Sequence, residues 1–273
     1  MKQLLSLMAC LFMLASLPSC TYVGNIVGKK HSADVVQKKL TPGAFNSVCN
    51  SSEWDVSFVQ ADSTYILLRG DADIIDKISV ELDGTTLNIT KKDKHWFAEC
   101  DDDVKIIVSS PELKFVNVSG TGDFTCSGVL YSEKLEMDLS GTGDAEFSDI
   151  ECNTMKLNVS GTGDFGAKRI KALSFYVSSE GTGDVAAVLQ EADDSSFMLS
   201  GTGDIDMMFK NCGKVSCNLF GTGDMTMSGT IRQLLKSVSG TGSLETKSLE
   251  VRYFVREVVA FERQNELNIE IFL

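Results

Sequence analysis

Histidine, tryptophan and proline are almost missing from this chain, with two, two and three residues among 273. His31 lies in a polar stretch and His95 in a basic one, and neither has an evident nucleophile partner, so triad chemistry has no starting point. No Cys-x-x-Cys pair or histidine cluster offers the ligand spacing of a structural metal site. After residue 19 no apolar run approaches the roughly 20 residues that span a bilayer. Positive charge is also scarce: 25 Lys and Arg stand against 38 Asp and Glu, for a net charge of −13. Loss of residues 1–19, whose only charge is Lys2, makes that −14. So acidic a surface argues against nucleic acid and anionic lipid as partners and favours cationic ligands.

What the chain has in quantity is one turn. Gly-Thr-Gly-Asp begins at Gly120, Gly141, Gly161, Gly181, Gly201 and Gly221, and a variant ending in Ser243 begins at Gly240. The steps are 21, 20, 20, 20, 20 and 19 residues. One glycine-rich turn per fixed period near twenty marks stacked coils. Two residues before each turn stand Val118, Leu139, Val159, Leu199, Leu219 and Val238, with Ser179 the exception. Four residues past each first Gly come Phe124, Ala145, Phe165, Val185, Ile205, Met225 and Leu244, with polar or small neighbours between the apolar positions. Alternation of period two on both sides of a tight turn describes strands with one buried face. Each coil reads as strand, turn, strand and a looser return. The fold expected is an all-β parallel β-solenoid, with the paired glycines at a corner that needs positive φ or close approach to a neighbouring coil.

Around the repeat, the sequence divides into five parts. Residues 1–19 form a targeting segment: Lys2, an apolar run from Leu4 to Leu17, then Leu17-Pro18-Ser19-Cys20. That ending resembles a bacterial lipobox, in which Cys20 carries lipid and anchors the protein to a membrane; an ordinary signal peptide with an incidental Cys is the alternative. Residues 20–40 read as a polar, basic tether, and residues 41–110 as an irregular β-rich region that caps the stack and continues it. Within that region Ile78–Leu82 and Thr86–Ile89 alternate around Asp83-Gly84, a hairpin signal. Residues 111–247 hold the repeats. Residues 248–273 form an atypical cap, with Val251, Phe254, Val255, Val258 and Val259 at helical spacing and Leu267–Phe272 alternating like a strand.

From Val104–Pro111 into Val116-Asn117-Val118-Ser119-Gly120-Thr121-Gly122-Asp123, and through the later Ser-Gly-Thr-Gly-Asp turns, the chain resembles the putative auto-transporter adhesin, head GIN domain family of bacterial envelope proteins. The likeness covers roughly residues 36–247; Glu180 and Phe220 replace the Ser before the turn in two coils, and the tail beyond Leu249 departs from the pattern. The resemblance implies a single-stranded right-handed β-helix, frequently a lipoprotein, with no catalytic residues to carry over.

Three sets of side chains are candidates for chemistry. Asp123, Asp144, Asp164, Asp184, Asp204 and Asp224 share one register, where neighbouring carboxylates repel by about 1 kcal/mol in water. Hydrogen bonds from each turn's own amides relieve this in the simpler account; bridging Ca²⁺ does so in the other. The Thr residues from Thr121 to Thr241 make a second column, either a plain β surface or a hydroxyl array for a glycan or an ice lattice. Among the cysteines, Cys126 and Cys217 fall at inward positions, Cys152 and Cys212 sit three coils apart, and Cys49 with Cys100 is the one plausible disulfide of an exported protein.

A catalytic site breaks a repeat by placing unlike groups in particular spots, whereas here each coil carries the same Asp. The function expected is a non-catalytic, lipid-anchored envelope module that binds a glycan or protein ligand, on the outer membrane, with no nucleic acid partner. A pectinase-like enzyme acting on polysaccharide is the alternative.

Overall fold

The computed structural model describes residues 35–93 and 104–252. The leader, Cys20, Cys100 and the tail from residue 253 onward lie outside the described residues.

The N-terminal part contains β1 (Val35–Leu40), β2 (Ser47–Asn50), β3 (Val56–Gln60), β4 (Tyr65–Asp71), the single-turn helix α1 (Ala72–Ile75), β5 (Ile78–Asp83), β6 (Thr86–Lys91) and β7 (Lys105–Ser110). Residues 35–40, expected to belong to the tether, form a strand instead. Val35, Val36 and Leu40 favour a strand, and β1 pairs antiparallel with β4. β5 and β6 form the expected hairpin, with Gly84 at φ 58° supplying the left-handed turn residue.

β2 and β3 are a coil of the solenoid. On one side they lie parallel to β8 (Phe115–Val118) and β9 (Phe124–Leu139), pairing Asn50 with Val118 and Val56 with Phe124. On the other side they lie parallel to β6 and β7. The chain therefore leaves this coil at Gln60, builds β4 to β7 beyond it, and returns past it through Pro111–Lys114 to reach β8. Gln60 ties the returning segment in place. Its Nε2 donates to the carbonyls of Pro111 (2.9 Å) and Tyr131 (2.8 Å), and its Oε1 accepts from the Tyr131 amide at 2.8 Å. The end of the stack is covered by β1 and β4 on β7 and by β5 on β6.

The repeats follow as β10 (Ala145–Val159), β11 (Phe165–Ser179), β12 (Val185–Gln190), β13 (Asp194–Leu199), β14 (Ile205–Leu219) and β15 (Met225–Val238), each coil parallel to the last, with β12 and β13 together lying between β11 and β14. The return that looked loose is regular strand. It adds two inward columns, Leu130–Ile150–Ile170–Leu189 and Leu135–Met155–Phe175, all fully buried. The uneven steps are absorbed at corners of the coils. The 21-residue step leaves a bulge where Phe147 pairs with Cys126 but Asp149 pairs with Val129. The 19-residue step is taken up between Phe209 and Cys212, beside Asn211 at φ 56° and Gly229 at φ 97°. β16 (Leu244–Glu245) and β17 (Leu249–Val251) still pair with β15, so the parallel stack runs on to Val251, past the boundary expected at 247.

The core alternates large and small residues between adjacent columns. Phe58, Phe124, Phe147 and Phe165 zigzag up the stack with ring centroids 6.3, 5.8 and 6.1 Å apart, and Cys126, Ala145 and Ala167 take the complementary places. Each ring thus meets the next at stacking distance without overfilling the coil. Cys126 and Cys217 are buried as the sequence indicates.

Candidate functional site

The Gly-Thr-Gly-Asp corner is the most regular surface feature, and its geometry settles what the glycines and the aspartates do. Neither glycine of the corner has positive φ; among the described residues Gly70, Gly84 and Gly229 do. What the corner needs is close approach. A Cβ on Gly181 would lie 2.1 Å from the Gly161 carbonyl oxygen, and one on Gly183 would lie 2.0 Å from that of Gly163. Both absent side chains point along the stack at the preceding coil. Ser52 and Trp54 hold the equivalent places in the β2–β3 coil, where Gly120 and Gly122 crowd the Ser52 and Trp54 carbonyls from the other side.

The Asp column corrects the simpler expectation. Each carboxylate accepts from the amide of the following coil, not from its own turn. The N–H groups of Asp144, Asp164, Asp184, Asp204 and Asp224 donate to Oδ1 of the Asp one coil earlier at 2.7–2.8 Å. Ser243 N–H closes the series on Asp224 at 2.7 Å. The series also begins earlier than the repeat suggests, because Asp123 N–H donates to Asp55 at 2.9 Å. Asp55 is hidden in the sequence because Ser52, Glu53 and Trp54 replace Gly-Thr-Gly. The signal that finds it is the Asp-apolar-polar-apolar run Asp55-Val56-Ser57-Phe58, which matches Asp123-Phe124-Thr125-Cys126.

Charge-assisted bonds of this kind hold the carboxylates in place despite their mutual repulsion. The two ends of the repeat column differ. Desolvation is the largest influence on Asp123 and pushes its pKa up, with Asp55 and Asp144 adding to the rise against the pull of the Asp144 amide. The Ser243 amide and hydroxyl pull that of Asp224 down. A depressed carboxylate pKa contributes stability above its unfolded value, and that contribution is lost as pH falls through the folded one. Among the described residues no three carboxylate, His or Cys side chains converge as a metal ion would require. One oxygen of each ladder Asp is already committed to the backbone.

Replacing Asp164 separates the roles. Asp164→Asn keeps an acceptor for the Asp184 amide and removes one repelling charge, so thermal stability should be unchanged or slightly higher. Asp164→Ala leaves the amide to water and should cost about 1 kcal/mol in a denaturant melt. Equal losses in both would show that the charge, rather than the acceptor, matters.

The Thr side chains beside this column are all exposed. Together with the column at Glu180, Ser200, Phe220 and Ser239, and with the corner glycines as floor, they outline a shallow trough of about 560 Å³.

A second groove, of about 670 Å³, lies elsewhere on the coil and was not foreseen. It starts at the Pro111–Glu112 return segment and runs across successive coils. Ser132, Cys152 and Ala172 share one register along it, and Tyr131, Glu151 and Lys171 share the neighbouring one. Tyr131 is 58% exposed and Leu173 52% exposed. Burial pushes the Cys152 thiol up to about 12, which keeps it protonated. Cys212, buried near the same register, is also a protonated thiol raised by burial. Cys49 is half-buried on β2, and its proposed partner Cys100 lies outside the described residues.

Comparison with known proteins follows the fold. A putative adhesin from Bacteroides fragilis NCTC 9343 shares 21% identity at a TM-score of 0.66, covering 77% of this chain and 96% of its own. A putative adhesin from Parabacteroides merdae ATCC 43184 shares 18% identity at 0.63, covering 81% and 96%. A structure from Parabacteroides distasonis ATCC 8503 described as a putative lipid binding protein shares 20% identity at 0.55, covering 80% and 98%. At these identities the likeness is one of fold. No curated protein matches the sequence. The family model described as "Putative auto-transporter adhesin, head GIN domain" matches residues 44–211, and the chain belongs to that family.

Proposed function

We propose that this protein is a non-catalytic binding module of the bacterial cell envelope, held to a membrane by lipid on Cys20 and recognising a glycan or protein along a rigid, repetitive surface. The observation that carries the reading is the uniformity of the corner. The side chain that could have been a catalytic carboxylate in any coil is in every coil bonded to the backbone of the next. A group used as scaffold at each step is poorly placed to act as an acid or base at one. The family and its adhesin-like structural neighbours support the same class. The family supports an envelope location, and the lipobox-like Leu17–Cys20 supports the lipid anchor.

Two measurements test the proposal. Cells expressing the full chain should incorporate labelled palmitate into it, and Cys20→Ser should abolish the label. Retention of label in the variant would remove the anchor. The exported Cys20→Ser protein, incubated with envelope and dietary polysaccharides, should release no new reducing ends above a boiled control. Release would replace the binding module by a polysaccharide-acting enzyme.

A further inference from the structure

The Asp corner repeats without change, but the groove at the return segment does not, and recognition needs unlike groups in fixed places. We infer that this groove seats an extended basic segment of a partner protein, with a lysine or arginine against the Tyr131 ring and the Glu133 carboxylate and an apolar side chain over Leu173. This deepens the binding-module reading and rests on it.

Four observations carry the inference. The groove is built rather than incidental, because its N-terminal wall is the Pro111–Glu112 passage that Gln60 fixes by three hydrogen bonds. Those bonds to residue 131 involve only its main chain and leave its side chain free to meet a ligand, on a residue 58% exposed. The floor register, Ser132, Cys152 and Ala172, consists of small side chains, which lets an extended backbone come close.

Charge supplies the sign. Four carboxylates line the groove, at Glu112, Glu133, Glu151 and Glu191, against the single cation Lys171. Glu151 is held by Arg169, Glu191 by Lys171 and Glu112 by Lys114, which leaves Glu133 as the groove carboxylate without an ion pair among the described residues. An exposed aromatic face next in sequence but one to an uncommitted carboxylate suits a cationic side chain, by cation–π attraction and by charge. The net charge of −13 steers the same class of partner toward the surface.

The test uses the exported full chain carrying Cys20→Ser and a labelled peptide of alternating lysine and leucine, with a glutamate–leucine peptide and a neutral β-linked glucose oligosaccharide as comparisons. The basic peptide should bind, the acidic one should not, and binding should weaken with added salt. Tyr131→Ala should weaken it about fivefold, and Glu133→Lys should weaken it further. Thr226→Ala, on an exposed position of the face that follows the corner, should leave it unchanged. Both groove variants should melt as the parent does, since neither side chain makes a hydrogen bond or an ion pair among the described residues. Peptide binding that ignores both variants overturns the assignment. Oligosaccharide binding lost in Tyr131→Ala, without peptide binding, also overturns it and makes the groove a glycan site. If the protein coats envelope material while ignoring the peptide, the groove assignment falls and the module reading survives.

Discussion

Gly183→Ala should be among the most damaging single-methyl additions this protein can receive. The new Cβ would sit 2.0 Å from the Gly163 carbonyl oxygen, more than 1 Å inside any ordinary contact. The obstacle is main chain, so no rotamer change relieves it. The two coils would have to separate at the corner. Separation strains the bonds from Glu180 and Gly181 N–H to the Val159 carbonyl, from Thr182 N–H to that of Gly161, and from Asp184 N–H to Asp164 Oδ1. At about 0.5–1.5 kcal/mol net for each of four bonds, the loss is roughly 2–6 kcal/mol, a large share of the stability of any domain. Gly128→Ala is the matched control. It has open space around its Cβ position and no positive φ, so it should be neutral or stabilising by about 0.4–1 kcal/mol through the unfolded chain. Urea melts of the two variants side by side decide the matter. Similar midpoints would show that the coils can part at the corner without cost.

The second large effect runs the other way. Ser179 occupies the inward register that Val159 and Leu199 fill in the flanking coils, and it is completely buried. Its hydroxyl has no hydrogen-bond partner among the described residues. A buried hydroxyl left unsatisfied costs about 1–3 kcal/mol, and the valine methyls add about 0.8 kcal/mol for each buried carbon where space exists. Ser179→Val should therefore raise stability by about 1–2 kcal/mol, or about 2–8 °C in the melting temperature of a domain this size. Ser179→Ala removes the hydroxyl without adding volume and should gain about half as much. A loss in both variants would mean that the hydroxyl is serving the fold after all. A loss in the valine variant alone would mean that the coil is already full there.

The sequence reveals the solenoid because a coil of constant length keeps each residue type in its own column. Val118, Leu139 and Val159 recur, the glycines recur, and the Asp column can be read from spacing alone. Two things escape. The direction of the Asp bond depends on where the next coil's amide points, which no spacing records. Asp55 escapes because Ser52 and Trp54 stand where the later coils carry the corner glycines, so no repeat points back to it. Both are almost fully buried, and Asn50 bonds the Trp54 and Gly122 carbonyls beside them. The groove escapes for a different reason. It depends on Gln60, Pro111 and Tyr131 meeting across 71 positions of sequence, and no local pattern announces a chain that goes out and comes back past its own first coil. The return columns were legible after all: Ile150 and Met155 alternate with polar neighbours, although the bulge opposite Ser148 interrupts the count.

The one-way Asp bond gives the assembly a growing tip. A carboxylate already in place receives the amide of the chain that follows it, so every finished coil offers the next a fixed acceptor. The start cannot be made that way, because the β2–β3 coil is enclosed only after β6, β7 and β8 have come back around it. Shortening the protein from its C-terminal side should therefore shave stability in instalments, whereas cutting into the first 118 residues should remove the seed on which all later coils are laid. A chain emerging from the ribosome in that order meets its own seed first.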